Sequence, residues 1–173
     1  MTLDITLRER RGFTLIELLL YVGLMAVMLL VSSLFMSFVL EARVKNQVID
    51  EVEQQGLYTM QLIEQTVRNA DAINSPAQGV NGASLSLAVP VPNNPTVFSL
   101  VSGAIQVTEA GGAAVGLTNS RVTASSVSFY NLSRTGTPGV VRIQFTLTHT
   151  NPSGRNEYNY NQTFYGSAAL HYP

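Results

Sequence analysis

From Leu18 to Leu40 the chain runs 23 residues without a charged side chain, LLLYVGLMAVMLLVSSLFMSFVL. A helix of that length, rising 1.5 Å per residue, covers roughly 34 Å, and the hydrocarbon core of a bilayer is about 30 Å thick. The competing reading is a buried helix of a soluble domain. Such helices keep a polar stripe and seldom run past about 20 residues, whereas this one is apolar all round. The run reads as a membrane-spanning helix. Arg8, Arg10 and Arg11 precede it, while Arg43 and Lys45 follow it among Glu41, Asp50, Glu51 and Glu53. That Lys/Arg bias places the N-terminus on the cytoplasmic side. A secretory signal peptide shares the basic start, but its apolar core spans only about 7–15 residues and ends at a small-residue A-x-A site. Here the run is longer and no such site follows, so the segment is expected to stay in the finished protein.

Past Leu40 the chain turns polar without losing helical character. Val44, Val48 and Val52 recur at i, i+4 and i+8, and Met60, Ile63, Val67 and Ala70 continue a 3–4 spacing. Gly56 is the one weak point. The pattern predicts a single helix from about Thr14 to Asp71, roughly 87 Å long at the helical rise. Asn74-Ser75-Pro76 ends it, because the residue before Pro is pushed out of the α region.

After Pro76 the composition changes again. Residues 77–173 hold only Glu109 and Glu157 as acids and are dense in Ser, Thr, Asn, Gly and Val. Strand alternation shows in 85–89, 105–107, 127–129 and 141–147. Turn chemistry separates these at Pro92-Asn93-Asn94-Pro95, Gly111-Gly112, Gly136-Thr137-Pro138-Gly139 and Asn151-Pro152-Ser153-Gly154. The last two turns bracket an expected hairpin, Val140–Thr150 paired with Arg155–Tyr165. Alternating strands imply an antiparallel sheet with one buried face, and the amphipathic half of the long helix is its natural cover. The expected fold class is α+β. Its parts are a leader at 1–12, a transmembrane or assembly helix at 13–40, an amphipathic helix half at 41–73 and a β-rich head at 74–173.

Composition narrows the function. At 173 residues the chain holds about one domain. A net charge of −1 provides no basic surface for nucleic acid. Without Cys there is no disulfide, thiol nucleophile or Cys-bound metal, and only two His remain as bases or ligands. Neither His149 nor His171 has a carboxylate near in sequence, and the only Asp residues are Asp4, Asp50 and Asp71. An enzyme is not expected, nor is any cofactor or metal. Tyr158, Tyr160 and Phe164 share parity and are read as one core-facing row, with Tyr165 beside them. Asn131-Leu132-Ser133 and Asn161-Gln162-Thr163 match the glycosylation pattern, which is common by chance.

The informative stretch stands at the membrane boundary: Arg10-Arg11-Gly12-Phe13-Thr14-Leu15-Ile16-Glu17-Leu18-Leu19. Glu17 places a carboxylate in the apolar start of a membrane helix, where an acid costs up to about 2.5–3.5 kcal/mol at the centre and less toward the ends. Ionisable groups in that position are functional candidates, although Glu17 near a helix end can also snorkel to the headgroups. Gly12 is a small, flexible residue between the basic leader and Phe13, as a protease site at a membrane surface requires. Cutting after Gly12 frees an amine on Phe13, one helical turn from Glu17. An amine and a carboxylate of neighbouring copies, at about 4 Å, attract by about 4 kcal/mol at an effective dielectric near 20, less their desolvation.

Arg11-Gly12-Phe13-Thr14-Leu15-Ile16-Glu17 resembles the processing motif of type IV pilins and type II secretion pseudopilins, and the basic leader, long apolar helix and β-rich second half fit that family. The resemblance implies that the membrane prepilin peptidase cuts Gly12–Phe13, that residues 1–12 are lost, and that Phe13 is N-methylated. It implies that Glu17 serves methylation and filament assembly. Its implied partners are other pilin or pseudopilin subunits in a helical filament, the inner-membrane assembly platform, and membrane lipid before assembly. The implied location is the bacterial inner membrane as a single-pass precursor, then a periplasmic or extracellular filament. Residues 60–70 are similar to the helix end of minor pilins and J-type pseudopilins. The chain departs from major pilins in lacking a C-terminal Cys pair and in carrying Leu34 where a Pro often stands. Its scarcity of acids after residue 72 leaves no ligands for the calcium site of major pseudopilins. The alternative is a stand-alone membrane-anchored adhesin on a helical stalk, which needs neither Gly12 nor Glu17.

Overall fold

A computed structural model describes residues 12–171; the leader apart from Gly12 lies outside the described residues. Helix α1 runs Leu15–Arg68, and the chain divides after Ala42 into two units. In the first unit the apolar side chains of the helix stay exposed among the described residues: Leu29, Phe35 and Phe38 are each about seven-tenths exposed (72%, 69% and 68%). This span is long and apolar enough to cross a membrane, and it fits a single-pass anchor.

The second unit, from Arg43, holds the core. Val48, Val52, Met60, Ile63 and Val67 of α1 are buried, the stripe that the 3–4 spacing predicts. The helix ends at Arg68 rather than at Asp71. The reason is competition from a ladder: the Asp71 N–H donates to the Ala88 carbonyl at 2.8 Å, and Ala72–Ser75 becomes strand β1 instead of further helix.

The strands form two sheets where one was expected, both antiparallel throughout. The first has the order β1 (Ala72–Ser75), β3 (Ser84–Ala88), β4 (Thr96–Val101), β5 (Ala104–Glu109) and β6 (Val115–Gly116). The second has the order β2 (Asn81–Gly82), β7 (Val122–Asn131), β8 (Val140–His149) and β9 (Asn161–Ala169). Strand β4 was not foreseen. It pairs with β5 through Ser102-Gly103, whose φ values of 51° and 78° make the left-handed two-residue turn that suits a twisted hairpin.

The β8–β9 hairpin exists, but its second strand starts at Asn161, not Arg155, with Val140 opposite Ala169. Asn151 delays it. Its amide donates to the Arg155 carbonyl at 2.8 Å and to Asn159 Oδ1 at 2.6 Å, and a 3-10 turn at Asn156–Tyr158 fills the loop so closed. Tyr158 therefore leaves the expected core row. Phe164 keeps it, stacked on Phe145 with ring centroids 5.3 Å apart.

Odd residues of β8 (Val141, Ile143, Phe145, Leu147) face the core together with Phe164 and Ala168 of β9 and the α1 stripe. Gly56 has a specific reason for being glycine. A Cβ there would overlap the Phe164 ring, so the ring packs directly on helix backbone.

Candidate functional site

The singled-out residues gather at the start of α1, within the first unit. Gly12, Phe13 and Thr14 precede the helix and are exposed, Phe13 by 74%. Thr14 closes the helix start: its Oγ1 accepts the Glu17 N–H at 3.3 Å, and its carbonyl accepts the Leu18 N–H at 3.1 Å. This is half of a capping box, Thr14-x-x-Glu17, a signature already legible in the sequence. Glu17 is thereby fixed in the first turn, where the positive end of the helix dipole favours a carboxylate.

The Glu17 side chain does not turn back to the Thr14 amide. Its Oε1 accepts the Tyr21 hydroxyl at 3.3 Å, one turn on, and the Tyr21 ring meets Phe13 edge to face at 6.1 Å and 72°. Tyr21 is the member of the site that sequence reasoning missed; the i, i+4 spacing of an acid and a phenol was the available signal. Phe13, Glu17 and Tyr21 thus form one connected group on one side of the first two turns. Gly12 is different: among the described residues nothing lies within 4 Å of where its side chain would be.

The other candidates fall elsewhere. His149, on the second unit, does gain a carboxylate: its Nε2 lies 3.9 Å from Glu51 Oε2 on α1, and its ring stacks on Tyr158 at 5.9 Å. Glu51 is already shared. It accepts from Gln55 at 3.3 Å and Asn119 at 3.1 Å, and stands 3.5 Å from Arg121. The cluster lines a cavity of about 380 Å³ and ties α1 to the loops beside β7 and β8. Among the described residues the buried His149 Nδ1 has no hydrogen-bond partner. His171, Asp71 and Glu109 line a separate cleft with Arg68. Among the described residues no three His, Asp or Glu side chains stand close enough to hold a metal ion. Asn131 is buried with its amide donated to the Pro76 carbonyl at 2.8 Å, so in the fold it is closed to a glycan; Asn161 is exposed.

Tyr160 is half-buried. Its hydroxyl donates to Gln162 Oε1 at 2.8 Å with Glu53 Oε1 3.4 Å away. Burial first, then the neighbouring Glu53 charge and hydrogen bond, push its pKa above the usual phenol value.

No curated protein and no solved structure matches the chain. Residues 7–33 match the family model described as the prokaryotic N-terminal methylation motif, a stretch that contains Gly12, Phe13, Thr14, Glu17 and Tyr21. The chain carries the signal of type IV pilins and pseudopilins at the head of its long helix, joined to an α+β unit.

Proposed function

We propose that this protein is a non-enzymatic structural subunit, a minor pilin or pseudopilin, of a type IV pilus-like or type II secretion filament. Prepilin peptidase cuts between Gly12 and Phe13, Phe13 is N-methylated, and the subunit leaves the inner membrane, through an assembly platform, for a filament packed through its N-terminal helix. The precursor sits with its N-terminus in the cytoplasm, as the Arg8, Arg10 and Arg11 excess directs.

The observation that carries this reading is the methylation motif laid on a helix whose exposed apolar span, up to Leu40, holds the single carboxylate of Glu17. Apolar surface on that scale needs lipid or other helices around it. Gly12 supports it, because a residue without a side chain directly before Phe13 suits the close fit of a protease cleft. Glu17, capped by Thr14 and held by Tyr21, is fixed at a set height where the amine of a neighbouring Phe13 can meet it.

Glu17→Ala tests the role. Removing a charge makes the helix more apolar, so membrane levels should hold. Incorporation into sheared filaments, counted against wild type at matched membrane levels, should fall sharply, and Glu17→Gln should fail likewise. A stalked adhesin predicts full surface display with either substitution. Equal incorporation would end the filament reading of Glu17.

A further inference from the structure

Sheet edges leave backbone donors and acceptors unpaired, and folded proteins keep them short, charged, kinked or covered. The two sheets here have four edges. β1 has four residues, β2 and β6 two each, and β9 has nine. Asn161–Ala169 contains no charged residue and no Pro, and its register with β8 is unbroken.

The direction of its free groups is fixed by parity. Just past the two ends of the ladder, the Tyr160 carbonyl accepts the His149 N–H at 2.9 Å and the Leu170 N–H donates to the Gly139 carbonyl at 2.8 Å. Even-numbered residues of β9 therefore exchange bonds with β8. Odd ones turn N–H and C=O to the open side: Asn161, Thr163, Tyr165, Ser167 and Ala169. Among the described residues, none of these groups has a partner.

The flank of α1 selects what can lie there. Gly56 sits under Phe164, Met60 and Glu64 under Gly166, and Glu53 beside Tyr160. At 100° per residue, Leu57 falls one step farther toward the open edge, and it is 55% exposed. An added strand would set its helix-facing side chains over apolar Leu57, with Glu53 and Glu64 to either side along the helix; Arg68 takes up part of the Glu64 charge at 2.7 Å.

We infer that the open edge of β9 receives an extended segment of another polypeptide as a fifth, antiparallel strand. Its helix-facing residues are apolar at the centre and basic at the ends. Main-chain bonds supply affinity and the alternating side chains supply selection. This surface is separate from the N-terminal processing motif, and its test leaves that motif untouched.

The probe is the acetylated, amidated heptapeptide KTVTLTK, whose Lys, Val and Leu side chains would face the helix. Binding to the full chain in detergent micelles is read by fluorescence anisotropy. In an antiparallel pair the Thr amides bond to β9 while the Val and Leu amides point away. N-methylation of two Thr residues should weaken binding at least about tenfold, whereas N-methylation of Val and Leu should leave it nearly unchanged. Tyr165→Pro removes an edge N–H that the β8 ladder does not use, and should weaken binding by a similar factor. Equal binding of the two N-methylated peptides would overturn the proposal, as would the absence of saturable binding up to about 1 mM.

Discussion

Gly56→Ala separates two physical accounts of the α1 stripe. On an exposed helix the substitution gains about 1 kcal/mol, because Gly is the poorest helix former after Pro. In this fold the new methyl falls on the Phe164 ring. That ring cannot swing clear, since it is buried and stacked on Phe145, itself fully buried. Overpacking of this kind costs roughly 1–3 kcal/mol, and the ring contact is head-on, so the upper half of that range applies. Set against the propensity gain, the net loss is about 1–2 kcal/mol. For a unit of 131 residues (43–173) this lowers Tm by roughly 4–8 °C. The core of that unit is drawn from its own residues, so the fragment is expected to fold alone and to unfold in one transition followed by circular dichroism. In a Phe164→Leu background the same substitution should turn neutral or stabilising, giving a coupling energy of opposite sign to the single cost. A Gly56→Ala variant that is more stable than wild type would refute the close contact between helix backbone and ring.

The Thr59 hydroxyl is fully buried and has no partner among the described residues, so Thr59→Val, which keeps the shape and removes the orphan, should stabilise by roughly 1 kcal/mol in urea titrations at constant slope. Tyr160 gives a pH effect with a definite sign. Its folded pKa is raised, so its contribution is whole below the unfolded phenol value near 10 and is lost as pH climbs through the folded value. Tyr160→Phe should therefore flatten the loss of stability above about pH 10, measured as the difference between the two chains' denaturation midpoints.

What could be read in the sequence was what is local. The apolar run, the helical spacing of Val48, Val52, Ile63 and Val67, and the motif around Gly12 and Glu17 each lie within a few turns, and each is found as expected. Strand β4 was within reach: Thr96–Val101 is rich in Thr, Val and Phe and Ser102-Gly103 is a turn pair, although the Pro92–Pro95 cluster stands just before it. Other features depend on partners far along the chain. Gly56 looks like a flaw until Phe164 is placed on it, and Glu51 looks like a solvated acid until Asn119, Arg121 and His149 surround it. The start of β9 was misjudged because a side chain, Asn151, sets the length of the loop, not the backbone turn signal.

The central claim is processing at Gly12–Phe13, and the intact mass of the protein extracted from membranes of its native host tests it most directly. The account predicts a mature chain that begins at Phe13, lacks residues 1–12 and carries one added methyl group. Gly12→Val should leave the precursor uncut in the same membranes, since a cleft that closes on a residue without a side chain has no room for the branched side chain of Val. A wild-type chain that stays full length, or one cut at a site beyond the apolar run, would contradict it.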